Sequence, residues 1–147
     1  MTEDVSQTHQ PLAFSRIALY GLIAIVGSIA LNLVIRAIGM TFVDVSPEFE
    51  PLGEAAPTIV FTTVLVFLAV IVFAIVDRVA ANPVRVFNII ALVALALSVI
   101  PDLGLLLRPD QVPFGGITAG AVAIMILIHI AAYAVTVYSL TVLAYRE

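Results

Sequence analysis

The stretch Thr58–Val76, TIVFTTVLVFLAVIVFAIV, decides the fold. It runs 19 residues without a charge, and a helix of that length rises about 28 Å. That matches the roughly 30 Å hydrocarbon core of a bilayer. Three further runs share this character: Ser15–Ile38, Val86–Ile100 and Ile117–Ala144. Across all 147 residues, 63% are apolar and 11% charged, and the mean hydropathy is +1.21. A water-soluble domain of this size cannot bury so much hydrocarbon. The predicted fold is all-α: a polytopic integral membrane protein of the plasma membrane, built as a four-helix transmembrane bundle over residues 15–145. Residues 1–14 read as a disordered tail. Ser28-Ile29-Ala30 resembles a signal-peptide cleavage site, but the preceding segment is acidic and the apolar run is too long for a signal peptide.

Composition excludes several function classes. The chain has no cysteine, so disulfides, thiol-redox chemistry and Cys-ligated metals are ruled out. All six basic residues are arginine, the net charge is −4, and the pI is about 4.9. Nucleic-acid binding needs a basic surface and is not expected.

Arginine placement sets the expected orientation. Arg16, Arg78, Arg85 and Arg146 fall on one side of the spans, and Arg36 and Arg108 on the other. The positive-inside rule then puts both termini in the cytoplasm. On the outside, Gly39–Pro57 and Asp102–Gly116 read as irregular segments rich in Gly and Pro, the first as a compact loop or a short helix lying on the bilayer surface. The first carries Asp44, Glu48, Glu50 and Glu54. The third span is short if it stops at Ile100; a kink at Pro101 allows it to continue toward Leu107.

Polar and small residues recur at helical spacing along one face of each span. Span one offers Gly21, Ala24, Ser28, Asn32 and Arg36. Span two offers Thr58, Thr62 and Ala69, with Asp77 near its inner end. Span three offers Asn88, Ala91, Ser98 and Asp102, and span four His129, Tyr133 and Thr136. Such faces meet inside a membrane protein while aliphatic faces meet lipid. Arg36 and Asp102 fall at the same outer boundary, where an ion pair is expected, with Glu50 or Glu54 as alternative partners. His129 lies about 18 Å into span four, near mid-membrane, as a neutral imidazole bonded to Ser98 or Tyr133 or as the floor of an outward polar cleft. The candidate binding stripe is Asn32, Arg36, Ser98, Asp102, His129 and Tyr133.

Close helix approach is expected at the GxxxG of Gly116 and Gly120 and at the Ala24/Ser28 pair. No nucleophile elbow, HExxH or paired carboxylates within one span occur, so no catalytic residue is assigned. One intramembrane histidine cannot give bis-histidine haem ligation within a single chain, and no cofactor or metal is expected.

Several short motifs follow in order along the chain. They are Phe49-Glu50-Pro51-Leu52, then Arg78, Pro83 and Phe87, then Ser98-Val99-Ile100-Pro101, and finally Met125 with His129-Ile130-Ala131-Ala132. This order resembles an uncharacterised family of small bacterial four-helix membrane proteins, classed as a domain of unknown function. The resemblance covers residues 15–145. It implies four-helix architecture and supplies no activity, ligand or functional residue.

Three functions compete. Small-residue faces and the absence of a catalytic motif favour an accessory subunit that packs against a larger membrane complex or a second copy of itself. The intramembrane ionisable groups favour a small-molecule or ion binder or transporter using the outward cleft. An enzyme acting on a lipid or isoprenoid at the outer surface, with Asp102, Glu50 and Glu54, is the third. The bilayer is the one partner that composition implies directly.

Overall fold

A computed structural model describes residues 9–111, 113 and 115–146. The elements are α1 (Phe14–Phe42), α2 (Glu50–Gly53), α3 (Ala55–Val79), α4 (Pro83–Leu107) and α5 (Ala119–Thr141), with 3-10 turns at Pro109–Gln111 and Leu143–Tyr145. No strand occurs among the described residues. Four helices are long and apolar enough to cross a membrane, which makes this a multi-pass membrane protein by length and composition. Their outward faces are apolar and exposed, as Leu22 and Val26 of α1, Phe61 and Phe67 of α3, and Leu92 and Leu97 of α4 show.

The first three long helices exceed the apolar runs that announce them, whereas α5 (Ala119–Thr141) is shorter than its run. α1 continues to Phe42 and α3 begins at Ala55. Pro57 is accommodated because the first-turn N–H groups of a helix have no intrahelical acceptor in any case. α4 starts with Pro83 at its first position, where the missing N–H is harmless, and the Asn82 side chain accepts the Arg85 N–H at 3.2 Å as its cap. α4 then passes through Pro101 and ends at Leu107. The Thr118 hydroxyl caps α5 by accepting the Ala121 N–H at 3.1 Å.

α1 packs on α5 and α3, and α4 packs on α5 and α3 from the other side. Two apolar clusters close the ends. Ile17, Phe73, Val76, Phe87 and Leu140 form one, with the Phe73 and Phe87 rings edge to face at 5.1 Å. Phe49, Leu52, Ala121 and Ile124 form the other, below α2. At both clusters the helices also meet through small residues. A Cβ on Gly21 would stand 2.8 Å from Val70 Cγ1, and one on Gly39 would stand 2.8 Å from Ile124 Cδ1.

The Gly116/Gly120 pair does not form a helical GxxxG face. α5 starts only at Ala119, and Gly116 precedes it in a left-handed conformation (φ 70°) that a side chain would strain. Both glycines do serve close approach, Gly116 against Ser46 and Gly120 against Val43. Ala24 and Ser28 are fully buried inside the chain itself.

Candidate functional site

His129, Tyr133 and Thr136 follow one another at steps of four and three, so they share a face of α5. Facing them are Ala91, Ala94, Leu95 and Ser98 of α4 and Leu65, Leu68 and Ala69 of α3, among others. Between the three helices lies a cleft of about 270 Å³. The alanines create it, because a methyl group cannot fill the space between helix axes that Leu or Phe would. The wall is apolar apart from Ser98, His129, Tyr133 and Thr136. The rim residues Leu65 and Leu68 are about half exposed. The cleft therefore opens sideways, toward the hydrocarbon phase, rather than along the helix axes as an outward water-filled funnel.

At the end of the cleft nearer α2, His129 Nε2 lies 3.0 Å from Asp102 Oδ2. This replaces the expected Arg36–Asp102 pair. Because α4 does not stop at Ile100, Asp102 sits about 8 Å inside the helix end rather than in a loop. Side chains lean toward the N-terminus of their own helix. On antiparallel α4 and α5 that tilt brings the carboxylate inward and the imidazole outward until they meet. Asp102 is 4% exposed, and the two side chains stand within ion-pair distance although no aligned hydrogen bond from a described residue reaches Asp102 Oδ2. Among the described residues it is the only polar side-chain tie between α4 and another helix. Ser98 does not reach His129; its hydroxyl donates to Leu95 O at 2.8 Å within α4.

Arg36 instead holds α2. Its Nε donates to Leu52 O and its Nη2 to Gly53 O, both at 2.9 Å, satisfying the last carbonyls of that one-turn helix. Glu50 and Glu54 are exposed. Asn32 is fully buried, and its Nδ2 donates to the Thr62 hydroxyl at 2.9 Å, joining α1 to α3. Of the six stripe residues, Ser98, Asp102, His129 and Tyr133 come together at or beside the cleft. Asn32 and Arg36 do not.

A second polar centre, absent from the expected stripe, sits at the opposite end. Asp77 is fully buried. Its carboxylate accepts the Leu12 N–H at 2.7 Å and the Tyr145 hydroxyl at 2.8 Å, and His9 Nε2 lies 3.0 Å away. Residues from the two ends of the described chain thus meet on one carboxylate. The sequence reading places His9 in a disordered tail; residues 1–8 lie outside the described residues, whereas His9 and Leu12 are held against α3. An acid inside an apolar span with no arginine facing it was the available signal. Arg78 next door turns away to cover the Phe14 ring at 3.5 Å. Among the described residues, no cluster of three or more His, Asp or Glu side chains is placed to hold a metal ion.

No curated protein and no solved structure matches this chain. A family match nevertheless runs over residues 12–145, from the Leu12 that bonds Asp77 to the Tyr145 that does the same. On that match the chain belongs to the Family of unknown function (DUF6069).

Proposed function

We propose that this protein is an intramembrane binding protein for a small lipid-soluble molecule, held in the cleft between α3, α4 and α5. The observation that carries this is a laterally open cleft ending at a buried Asp102–His129 pair. Ionisable groups within a membrane span are costly to maintain and mark functional positions by default. The cleft is near the lower end of the ~300–1,000 Å³ range of small-molecule sites, enough for a ring or a short chain. The pair also ties α4 to the rest of the fold, so occupancy beside His129 is coupled to how α4 is seated.

The accessory-subunit reading is the alternative. It draws on small-residue faces, and Ala24 and Ser28 are already consumed inside the chain, which withdraws that pair from a partner. Both readings share one orientation. Arg16, Arg78, Arg85 and Arg146 lie at the Asp77 end, which supports cytoplasmic termini of a four-helix bundle.

Native mass spectrometry after extraction in mild detergent tests the proposal. The wild-type protein is expected to carry a small apolar adduct, and the cleft-filling variant Ala91→Phe is expected to lose it. An adduct retained by Ala91→Phe sinks the cleft assignment. A stoichiometric partner protein with no adduct establishes the accessory role instead.

A further inference from the structure

We infer that the cleft ligand is a neutral molecule whose polar end accepts hydrogen bonds, a lipid-soluble carbonyl compound of the prenyl- or alkyl-quinone type. This rests on the binding reading above and names its ligand class. The first observation is an internal contrast among hydroxyls. A Ser or Thr within a membrane helix ordinarily donates to a carbonyl three or four residues back. Thr63 does so to Ile59 O at 2.7 Å, Thr141 to Val137 O at 2.7 Å and Ser98 to Leu95 O at 2.8 Å. Two buried hydroxyls have no partner among the described residues: Ser28 of α1, which does not line the cleft, and Thr136, which lines it and is 5% exposed.

The second observation is the company Thr136 keeps. One turn away, Tyr133 lines the cleft and also borders a second hollow lined by Asn82, Arg85 and Asn88, and its hydroxyl bonds no described residue. Two turns away, His129 engages Asp102 through Nε2 only, leaving Nδ1 free toward other partners. The polar edge of the cleft is thus a row of unpaired hydroxyl donors on α5 ending at an imidazole. A molecule bringing acceptor oxygens gives each hydroxyl hydrogen a partner; one bringing only donors is accepted by the hydroxyl lone pairs but leaves those hydrogens unpaired.

The third observation is charge. No arginine lines the cleft, and the imidazole beside it already lies 3.0 Å from the Asp102 carboxylate. An anionic headgroup finds no free counter-charge there, and burying an unpaired anion is prohibitive. The apolar body of the ligand lies against the alanines of α3 and α4 and enters between the exposed rim leucines from the bilayer.

The test is a competition in lipid nanodiscs read by native mass spectrometry. Decylubiquinone, decylbenzene and decanoate are supplied at equal mole fraction. Decylubiquinone is expected to occupy the wild-type protein about tenfold more than decylbenzene, the ratio that one or two net hydrogen bonds support. In the double variant Tyr133→Phe, Thr136→Val the preference is expected to vanish while decylbenzene occupancy persists, which also shows that the variant is folded. Equal occupancy by decylubiquinone and decylbenzene in the wild type, or a quinone preference untouched by the double variant, overturns the ligand class. Preferential decanoate binding overturns its neutrality. If no probe binds, and Ala91→Phe behaves like wild type, the cleft itself is not a binding site and the underlying reading falls with it.

Discussion

Asp77 illustrates how one side chain can organise distant parts of the chain. Its carboxylate gathers a backbone N–H, a phenol and an imidazole, from residues 65 to 68 positions away. Asp77→Leu leaves the Tyr145 hydroxyl and the Leu12 N–H unpaired in a buried site. The expected loss is about 3–5 kcal/mol, measured as reduced thermal stability in detergent. Tyr145→Phe removes one donor while the carboxylate keeps others, so about 1 kcal/mol is expected. A larger loss for Tyr145→Phe than for Asp77→Leu contradicts this hierarchy. Arg36 acts more locally. Arg36→Gln uncovers the Leu52 and Gly53 carbonyls, and limited proteolysis is expected to accelerate within residues 50–54 while the long helices persist. None of these partners was legible from spacing alone. Periodicity shows which face of a helix a residue occupies, but not which residue of another helix stands at the same depth.

At the scale of elements, α4 is the loosest of the long helices and depends on one polar tie. Removing either partner alone strands the other. Asp102→Leu or His129→Leu is expected to lose about 2–3 kcal/mol. The double variant is expected to recover most of that, because two matched apolar groups replace a matched pair. Strictly additive losses in thermal stability rule out a coupled pair. The helices also differ in how closely their neighbours press. Gly21→Ala drives a Cβ against the stiff Val70 side chain and is expected to destabilise by about 1–3 kcal/mol. Gly104→Ala meets nothing within 4 Å and is expected to stabilise by up to about 1 kcal/mol through helix propensity. Pro101 marks the border of sequence legibility here. An end at Ile100 and a kinked continuation toward Leu107 were both readable there, and α4 runs on for six residues, because a helix in an apolar setting keeps every backbone bond it can.

At the scale of the whole molecule, four crossings return the chain to the side where it started, and His9 and Tyr145 meeting at Asp77 express that directly. The chain has no cysteine, so single cysteines introduced at Asn82 and at Gly53 report topology without background. Labelling by a membrane-impermeant maleimide in intact cells is expected at position 53 and not at position 82. The reverse pattern inverts the proposed orientation, and equal labelling removes the four-crossing topology.

The number of membrane-crossing helices, their approximate bounds and the inward placement of their polar faces follow from the sequence by itself. Those depend only on the match between apolar run length and bilayer thickness, and on a 3.6-residue period that any single helix obeys. The tertiary structure alone decided that Asp102 meets His129 rather than Arg36, that Arg36 caps a one-turn helix, and that Asp77 binds both ends of the described chain. It also decided that α3, α4 and α5 leave a cleft at their alanines. Each of these depends on relative depth and rotation between helices. Those are set by where glycines admit a neighbour and where bulky side chains hold one off, and no pattern confined to one helix contains them.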